Sequence, residues 1–99
     1  MTLRVVFHAL AEIELNEAAQ YYQQESAGLG VSFLIEIERA VEFVREHPSG
    51  SVLVATTVRS KRVRRFPYSI IYSVRPDHVR ILAVMNQRRR PFYWRDRLE

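Results

Sequence analysis

Cysteine is absent from this 99-residue chain, and lysine occurs only once. A chain without thiols has neither a disulfide framework nor a thiolate zinc site. Its apolar runs are shorter than the roughly 18 residues that cross a membrane. Residues 1–7 are typical of a strand and lack the charged start and long apolar segment of a secretion signal. We therefore expect a cytoplasmic protein that does not contact membranes.

Motifs that mark common catalytic sites are also missing. The sequence contains no phosphate-binding loop, dinucleotide fingerprint, HExxH motif or nucleophile elbow. The histidines His8, His47 and His78 are dispersed, and none stands at metal-ligand spacing from another histidine or a carboxylate. The sequence predicts neither a metal nor a cofactor.

The charge is divided unevenly along what we interpret as a single domain, residues 1–99. Residues 1–49 hold eight glutamates and three arginines, whereas residues 50–99 hold twelve basic and three acidic residues. All the basic residues except Lys61 are arginine, which favours forked contacts with carboxylates and phosphates. The basic half predicts an anionic partner, either nucleic acid or an acidic protein segment.

Hydrophobic periodicity predicts two helices followed by strands. Apolar stripes at helical spacing are Ala11, Leu15, Ala18 and Tyr22, then Leu34, Ile37, Val41 and Val44. The glutamates of both helices are interpreted as solvated faces. Strands are predicted at 3–7, 51–55 (weak), 57–66, 68–74 and 79–85, and a short helix at 92–98. The pattern predicts an α+β fold in which a helical hairpin packs on one face of a small, twisted, mostly antiparallel sheet. Its order is β-α-α-β-β-β, with a short C-terminal helix or tail.

The ending, residues 87–99, interleaves five arginines with three aromatics, a mixture suited to binding phosphates, carboxylates or exposed bases. We predict that this ending and the preceding strand share a basic surface that binds a target or an anionic protein partner; its candidate residues are Arg62, Arg64, Arg65, Arg88, Arg89, Arg90, Tyr93, Trp94 and Arg97. Two simpler interpretations stay open. In the first, the arginines are solvated and bind no partner. In the second, Tyr93 and Trp94 serve only to anchor a short terminal helix on the sheet.

One metal-independent reaction fits these residue types, namely cleavage of RNA by its own 2′-hydroxyl. Arg59, Arg65 or Arg88 could hold the phosphate. Lys61 or Tyr93 could move protons if neighbouring arginines lowered the pKa of either group. No histidine or carboxylate lies in the patch, so a base of ordinary pKa is missing.

Several short motifs occur together in a characteristic order. They are Glu14-Leu15, Glu17-Ala18, Tyr21-Tyr22, Gly28-Leu29-Gly30, Arg65-Phe66-Pro67-Tyr68, Ile81-Leu82-Ala83-Val84 and the ending Arg88-Arg89, Pro91, Tyr93-Trp94 and Arg97. In order and spacing the chain resembles the RelE/ParE toxins of type II toxin–antitoxin pairs, and more closely the ParE-like, plasmid-stabilisation branch.

The resemblance implies the fold given above and a co-encoded antitoxin. The disordered C-terminal segment of that antitoxin wraps and neutralises the toxin, and operator DNA is contacted only through the antitoxin. ParE-like members poison DNA gyrase and block replication. RelE-like members instead cut mRNA on the ribosome, and for that mechanism the matching places here are Arg59, Lys61, Arg65, Arg88 and Tyr93.

The sequence leans towards the ParE branch through Tyr21-Tyr22 and residues 66–68 and 91–97. It departs from that branch at Asn86, where histidine is more frequent, and at Arg90, where an acidic residue is usual. Our leading hypothesis is a gyrase-directed toxin. The alternatives are a ribosome-dependent mRNA endonuclease and a non-toxic member that only binds its antitoxin.

Overall fold

Two helices and five strands make up the fold of residues 3–98, the part of the chain that the computed structural model describes. Residues 1, 2 and 99 of the predicted domain lie outside that part. The elements are β1 (Arg4–Phe7), α1 (Ala9–Glu25), α2 (Leu29–Glu46), β2 (Val52–Ala55), β3 (Val58–Arg62), β4 (Tyr68–Val74) and β5 (His78–Asn86). The predicted α+β class and the helical hairpin are confirmed, and the weak strand is the edge strand β2.

The two helices lie close together because of glycines at their junction. Gly28 adopts a left-handed φ of 87°, which reverses the chain before α2. A Cβ at Gly30 would lie 2.6 Å from the carbonyl oxygen of Ala19, so only glycine permits this approach. Within residues 3–98, neither helix is long and apolar enough to cross a bilayer.

The sheet has the strand order β1-β5-β4-β3-β2. β1 runs parallel to β5, and the other neighbours are antiparallel. The helical hairpin covers one face of this sheet and completes the main core. Its largest fully buried side chains include Phe33, Val44, Ile70, Tyr72 and Ile81.

The opposite face of the sheet is covered too, by the C-terminal segment, residues 87–98. Trp94 is 3% exposed and belongs to a second apolar cluster with Ile71, Leu82 and Ala83. Burial on both faces explains why β4 is buried at five of its seven positions. The sequence predicted cover for one face only.

β5 contains a bulge that the sequence did not predict. Ile71 pairs with Ala83, but the next residue, Tyr72, pairs with Ile81, so Leu82 is an extra residue in β5. The bulge lets Leu82 and Ala83 both contribute to the second cluster, while Ile81 and Val84 contribute to the main core.

Two predicted boundaries were wrong for a shared physical reason. The strand predicted at 57–66 ends at Arg62, and a bend that includes Arg65 at φ 72° follows it. The helix predicted at 92–98 is instead a series of turns ending in one short 3-10 turn, Arg95–Arg97. Phe92 has φ 62°, and a left-handed residue interrupts a right-handed helix.

Candidate functional site

Six exposed arginines lie at one end of the sheet, five on two neighbouring loops and Arg62 at the end of β3. The N–H of Gln87 donates to the carbonyl of Pro67 over 2.8 Å, and Tyr68 pairs with Asn86. These contacts bring the bend between β3 and β4 beside the turn that follows β5. We call this surface the arginine rim; its members are Arg62, Arg64, Arg65, Arg88, Arg89 and Arg90.

The rim arginines form no ion pair with any residue in the described range 3–98. Every ion pair found among residues 3–98 involves other cations, namely Arg4, Arg39, Arg45, His78 and Arg97. Two open cavities of about 630 Å³ each adjoin the rim, one along residues 61–67 and one along residues 89–93 with Arg95. A cluster of unpaired guanidinium groups beside concave surfaces is suited to an acidic or phosphorylated partner.

Behind the rim, three side chains form a compact polar network that we call the Glu14 clasp. The hydroxyl of Tyr93 donates to Glu14 over 2.7 Å. The guanidinium of Arg97 donates to both carboxylate oxygens of Glu14, each over 3.0 Å. The side chains of Glu14 and Arg97 are only 15% and 10% exposed, so this forked ion pair is largely shielded from water.

The clasp also satisfies backbone groups of β5. Glu14 accepts a 3.0 Å hydrogen bond from the N–H of Val84, and Arg97 donates over 3.1 Å to the carbonyl of Leu82. The carbonyl belongs to the bulge residue Leu82 and the N–H to Val84, two residues further on, so both lie beyond Ile81, the last β5 residue that pairs with β1. Buried backbone groups without partners are costly, so the clasp replaces the strand pairing that β1 does not provide.

Tyr93 is held between two cations. The guanidinium groups of Arg89 and Arg97 lie 4.0 Å and 4.9 Å from the centroid of its ring. Burial, followed by the hydrogen bond to Glu14 and the negative charge of Glu14, raises the pKa of Tyr93 well above its ordinary value. The phenol is therefore neutral at physiological pH. The lowered pKa that proton transfer by Tyr93 would require is not found in this structure.

The other residues considered for RNA cleavage make contacts elsewhere. Arg59 donates over 2.7 Å to the carbonyl of Ser51, next to β2. The ammonium of Lys61 lies 4.2 Å from the ring centroid of Phe43, on α2. Arg65 and Arg88 belong to the arginine rim. Among the described contacts, Arg59 and Lys61 make none with Tyr93.

The predicted binding residues thus divide into two groups. The six rim arginines are exposed, whereas Trp94 and Arg97 are buried and hold the C-terminal segment in place. Tyr93 lies between the two groups, since it is partly buried and stacked against Arg89. The binding role predicted for all of these residues remains a prediction.

The assignment of all the helix glutamates to solvated faces was wrong for Glu36, which is 5% exposed, and for Glu14, whose side chain is 15% exposed. Glu14 is the one whose role in the site the sequence interpretation missed. A signal was nevertheless present. Glu14 stands three residues after Ala11 and four before Ala18, both buried, so helical spacing places it on the inner face of α1. An acidic residue on an apolar stripe predicts a buried partner.

Comparisons with known proteins agree with this architecture. The chain is similar to a structure of the chromosomal ParDE TA system from P. aeruginosa, with 17% identity, a TM-score of 0.72, and coverage of 86% of this chain and 96% of that chain. It is also similar to the YoeB dimer from Staphylococcus aureus, with 16% identity, a TM-score of 0.58, and coverage of 85% and 95%. No curated protein sequence matches it significantly. The family model for the ParE toxin of the type II toxin–antitoxin system parDE matches residues 5–91, which contain β1 from its second residue, the other four strands, both helices and the arginine rim. The chain therefore belongs to the ParE toxin family of type II toxin–antitoxin systems.

Proposed function

We propose that this chain is a toxin that a co-encoded antitoxin neutralises, and that it inhibits DNA gyrase and thereby replication. The observation that carries the proposal is the arginine rim within a ParE-type fold. Six guanidinium groups without ion-pair partners among residues 3–98 provide a surface for binding a macromolecule.

An antitoxin segment that suits this surface is acidic and disordered before it binds. Its carboxylates would form forked hydrogen bonds with the rim arginines, and the segment would become ordered on binding. Long-range attraction between opposite charges would speed the encounter. Operator DNA would then be contacted through the antitoxin rather than by the toxin alone.

The contacts of Tyr93 favour a binding mechanism over RNA cleavage. Cleavage needs a positioned base and a positioned acid. The hydroxyl of Tyr93 is engaged with Glu14, and its raised pKa makes the phenol a weak acid. The candidate groups Arg59 and Lys61 contact β2 and α2 instead. These contacts count against cleavage of mRNA by these groups, and the ParE family membership supports gyrase as the proposed target.

The proposal is tested by inducing the chain without its antitoxin in a bacterial host and following DNA synthesis and translation separately. We expect DNA synthesis to stop first, and we expect the purified chain to inhibit supercoiling by gyrase. A variant with Arg64→Gln, Arg65→Gln and Arg88→Gln should lose this inhibition. Each rim change is also made singly, and its matched control is Arg4→Gln, which removes one exposed arginine that is not part of the rim.

Other outcomes would replace the proposal. Early loss of translation, with mRNA cut inside codons, would identify a ribosome-dependent endonuclease. Normal growth together with tight antitoxin binding would identify a non-toxic member. Normal growth without antitoxin binding would remove the toxin assignment altogether.

A further inference from the structure

Glu14 lies on α1, yet it holds the C-terminal segment. Three side-chain hydrogen bonds from residues 87–98 end on its carboxylate, one from Tyr93 and two from Arg97. Tyr93 and Arg97 lie on either side of Trp94, whose ring fills the second cluster. One carboxylate therefore fixes both ends of the stretch that covers the outer face of the sheet.

The same contacts reach the arginine rim. The guanidinium of Arg89 lies 4.0 Å from the centroid of the Tyr93 ring, so a rim arginine packs directly on a side chain of the clasp. Between the rim and Tyr93, Phe92 adopts a left-handed conformation that is unfavourable for a bulky residue. Such a conformation persists only when surrounding contacts enforce it. The ring of Phe92 contacts Trp94 and Arg95, and the next residue, Tyr93, is held by the Glu14 clasp.

We propose that Glu14 is a positioning residue for the arginine rim. It acts through Tyr93 and Arg97, which hold residues 88–92 in the conformation that presents Arg88, Arg89 and Arg90 beside Arg64 and Arg65. This inference deepens the proposed function and rests on it for its biological readout. It requires no contact between Glu14 and the target.

A purely structural role for Glu14 makes a different prediction. A buried arginine that loses its carboxylate destabilises any fold. If stability were the whole effect, every variant of similar stability would lose a similar amount of inhibition. If Glu14 positions the rim, a variant loses inhibition only when its C-terminal segment no longer packs against the sheet.

Three variants separate these cases. Glu14→Gln keeps the size of the side chain and removes its charge. Glu25→Gln makes the same change on an exposed residue of the same helix. Val44→Ala lowers stability from within the main core, because Val44 is fully buried there and lies in α2, away from the C-terminal segment.

Trp94 reports on the seating of the segment, since it is the only tryptophan and is 3% exposed. Iodide quenching of its fluorescence is measured for each variant at a temperature where circular dichroism shows the helices intact. Inhibition of DNA synthesis is measured in parallel. We expect Glu14→Gln to raise the quenching constant severalfold and to weaken inhibition by about tenfold. Glu25→Gln and Val44→Ala should match the parent in both measurements.

Two results would overturn the inference. One is parental quenching in Glu14→Gln, which would show that the segment stays seated without the carboxylate. The other is an equal loss of inhibition in Val44→Ala, which would show that stability alone governs activity. A parent chain that leaves DNA synthesis unaffected would refute the proposed function instead, and the quenching series would then decide whether Glu14 positions the segment.

Discussion

The hydroxyl of Tyr93 donates a 2.7 Å hydrogen bond to Glu14, which lies 79 positions earlier in the chain. This bond joins the first helix to the segment that covers the far side of the sheet. Because Arg97 binds the same carboxylate, one acidic group links the stability of the fold to the placement of the arginine rim.

Removing the Tyr93 hydroxyl should lower stability. Tyr93→Phe keeps the stacked ring and deletes one hydrogen bond to a charged acceptor, which contributes about 1.5–3 kcal/mol. Urea unfolding measures the change in the free energy of unfolding. Tyr21→Phe is the control, because Tyr21 is 56% exposed and should change stability by less than about 0.5 kcal/mol. Equal losses in the two variants would contradict a role for this bond.

The neighbouring aromatics Trp94 and Phe92 should differ sharply. Trp94→Ala removes a buried ring from the second cluster and should cost about 3–5 kcal/mol. Phe92 is 44% exposed, so Phe92→Ala should cost far less. Thermal unfolding of both variants checks the difference. If Trp94→Ala lost little stability, the C-terminal segment would not be packed against the sheet as described.

Glycine substitutions in the bend after β3 should have opposite effects at adjacent positions. Arg65 has φ 72°, so Arg65→Gly relieves an unfavourable conformation and should stabilise the chain by up to about 1 kcal/mol. Arg64 is not among the left-handed residues, so Arg64→Gly should lose about 0.5–1 kcal/mol through chain entropy. Each variant removes one exposed arginine, which makes the pair charge-matched. If the two substitutions changed the free energy of unfolding in the same direction, the left-handed conformation assigned to Arg65 would be contradicted.

Stability should decline in alkaline solution. Burial raises the pKa of Tyr93 in the folded chain, so an unfolded tyrosine releases its proton first, near its ordinary pKa of 10.0. The contribution of Tyr93 is fully present below that pH and is lost as the pH rises towards the folded pKa. Burial also raises the pKa of Tyr22, in the same direction. Tyr93→Phe should therefore reduce, without abolishing, the fall in unfolding free energy above pH 10. If the unfolding free energy of Tyr93→Phe declined with pH as steeply as that of the parent, the pKa of Tyr93 would not be raised by folding.

The sequence contained enough information for the helical hairpin and for β4, because their periodicities are local and regular. Ala11, Ala18, Ile37 and Val44 are buried where the stripes predicted. The clustering of the arginines also followed from local order, since short loops leave the ends of β3 and β5 together. These features depend on residues that are close together in the sequence, so the sequence pattern alone is enough to predict them.

What the sequence did not predict depends on distant partners. The bulge at Leu82 has no local signature, because Ile81 to Val84 is uniformly apolar and fits either register. The left-handed Phe92 is set by where Tyr93 and Trp94 dock, not by the preference of phenylalanine. The role of Glu14 depends on Arg97, near the other end of the chain.

The parallel pairing of β1 with β5 has a consequence for how the protein is made. The first strand leaves the ribosome early but cannot join the sheet until its last strand has also emerged. During synthesis the nascent hairpin carries Glu14 without Arg97, and the outer face of the sheet lies open. The arginine rim and the Glu14 clasp behind it therefore come together only after Arg97 has been synthesised. A chain terminated before Tyr93 would contain all six arginines of the rim but neither of the side chains, Tyr93 and Arg97, that bind Glu14.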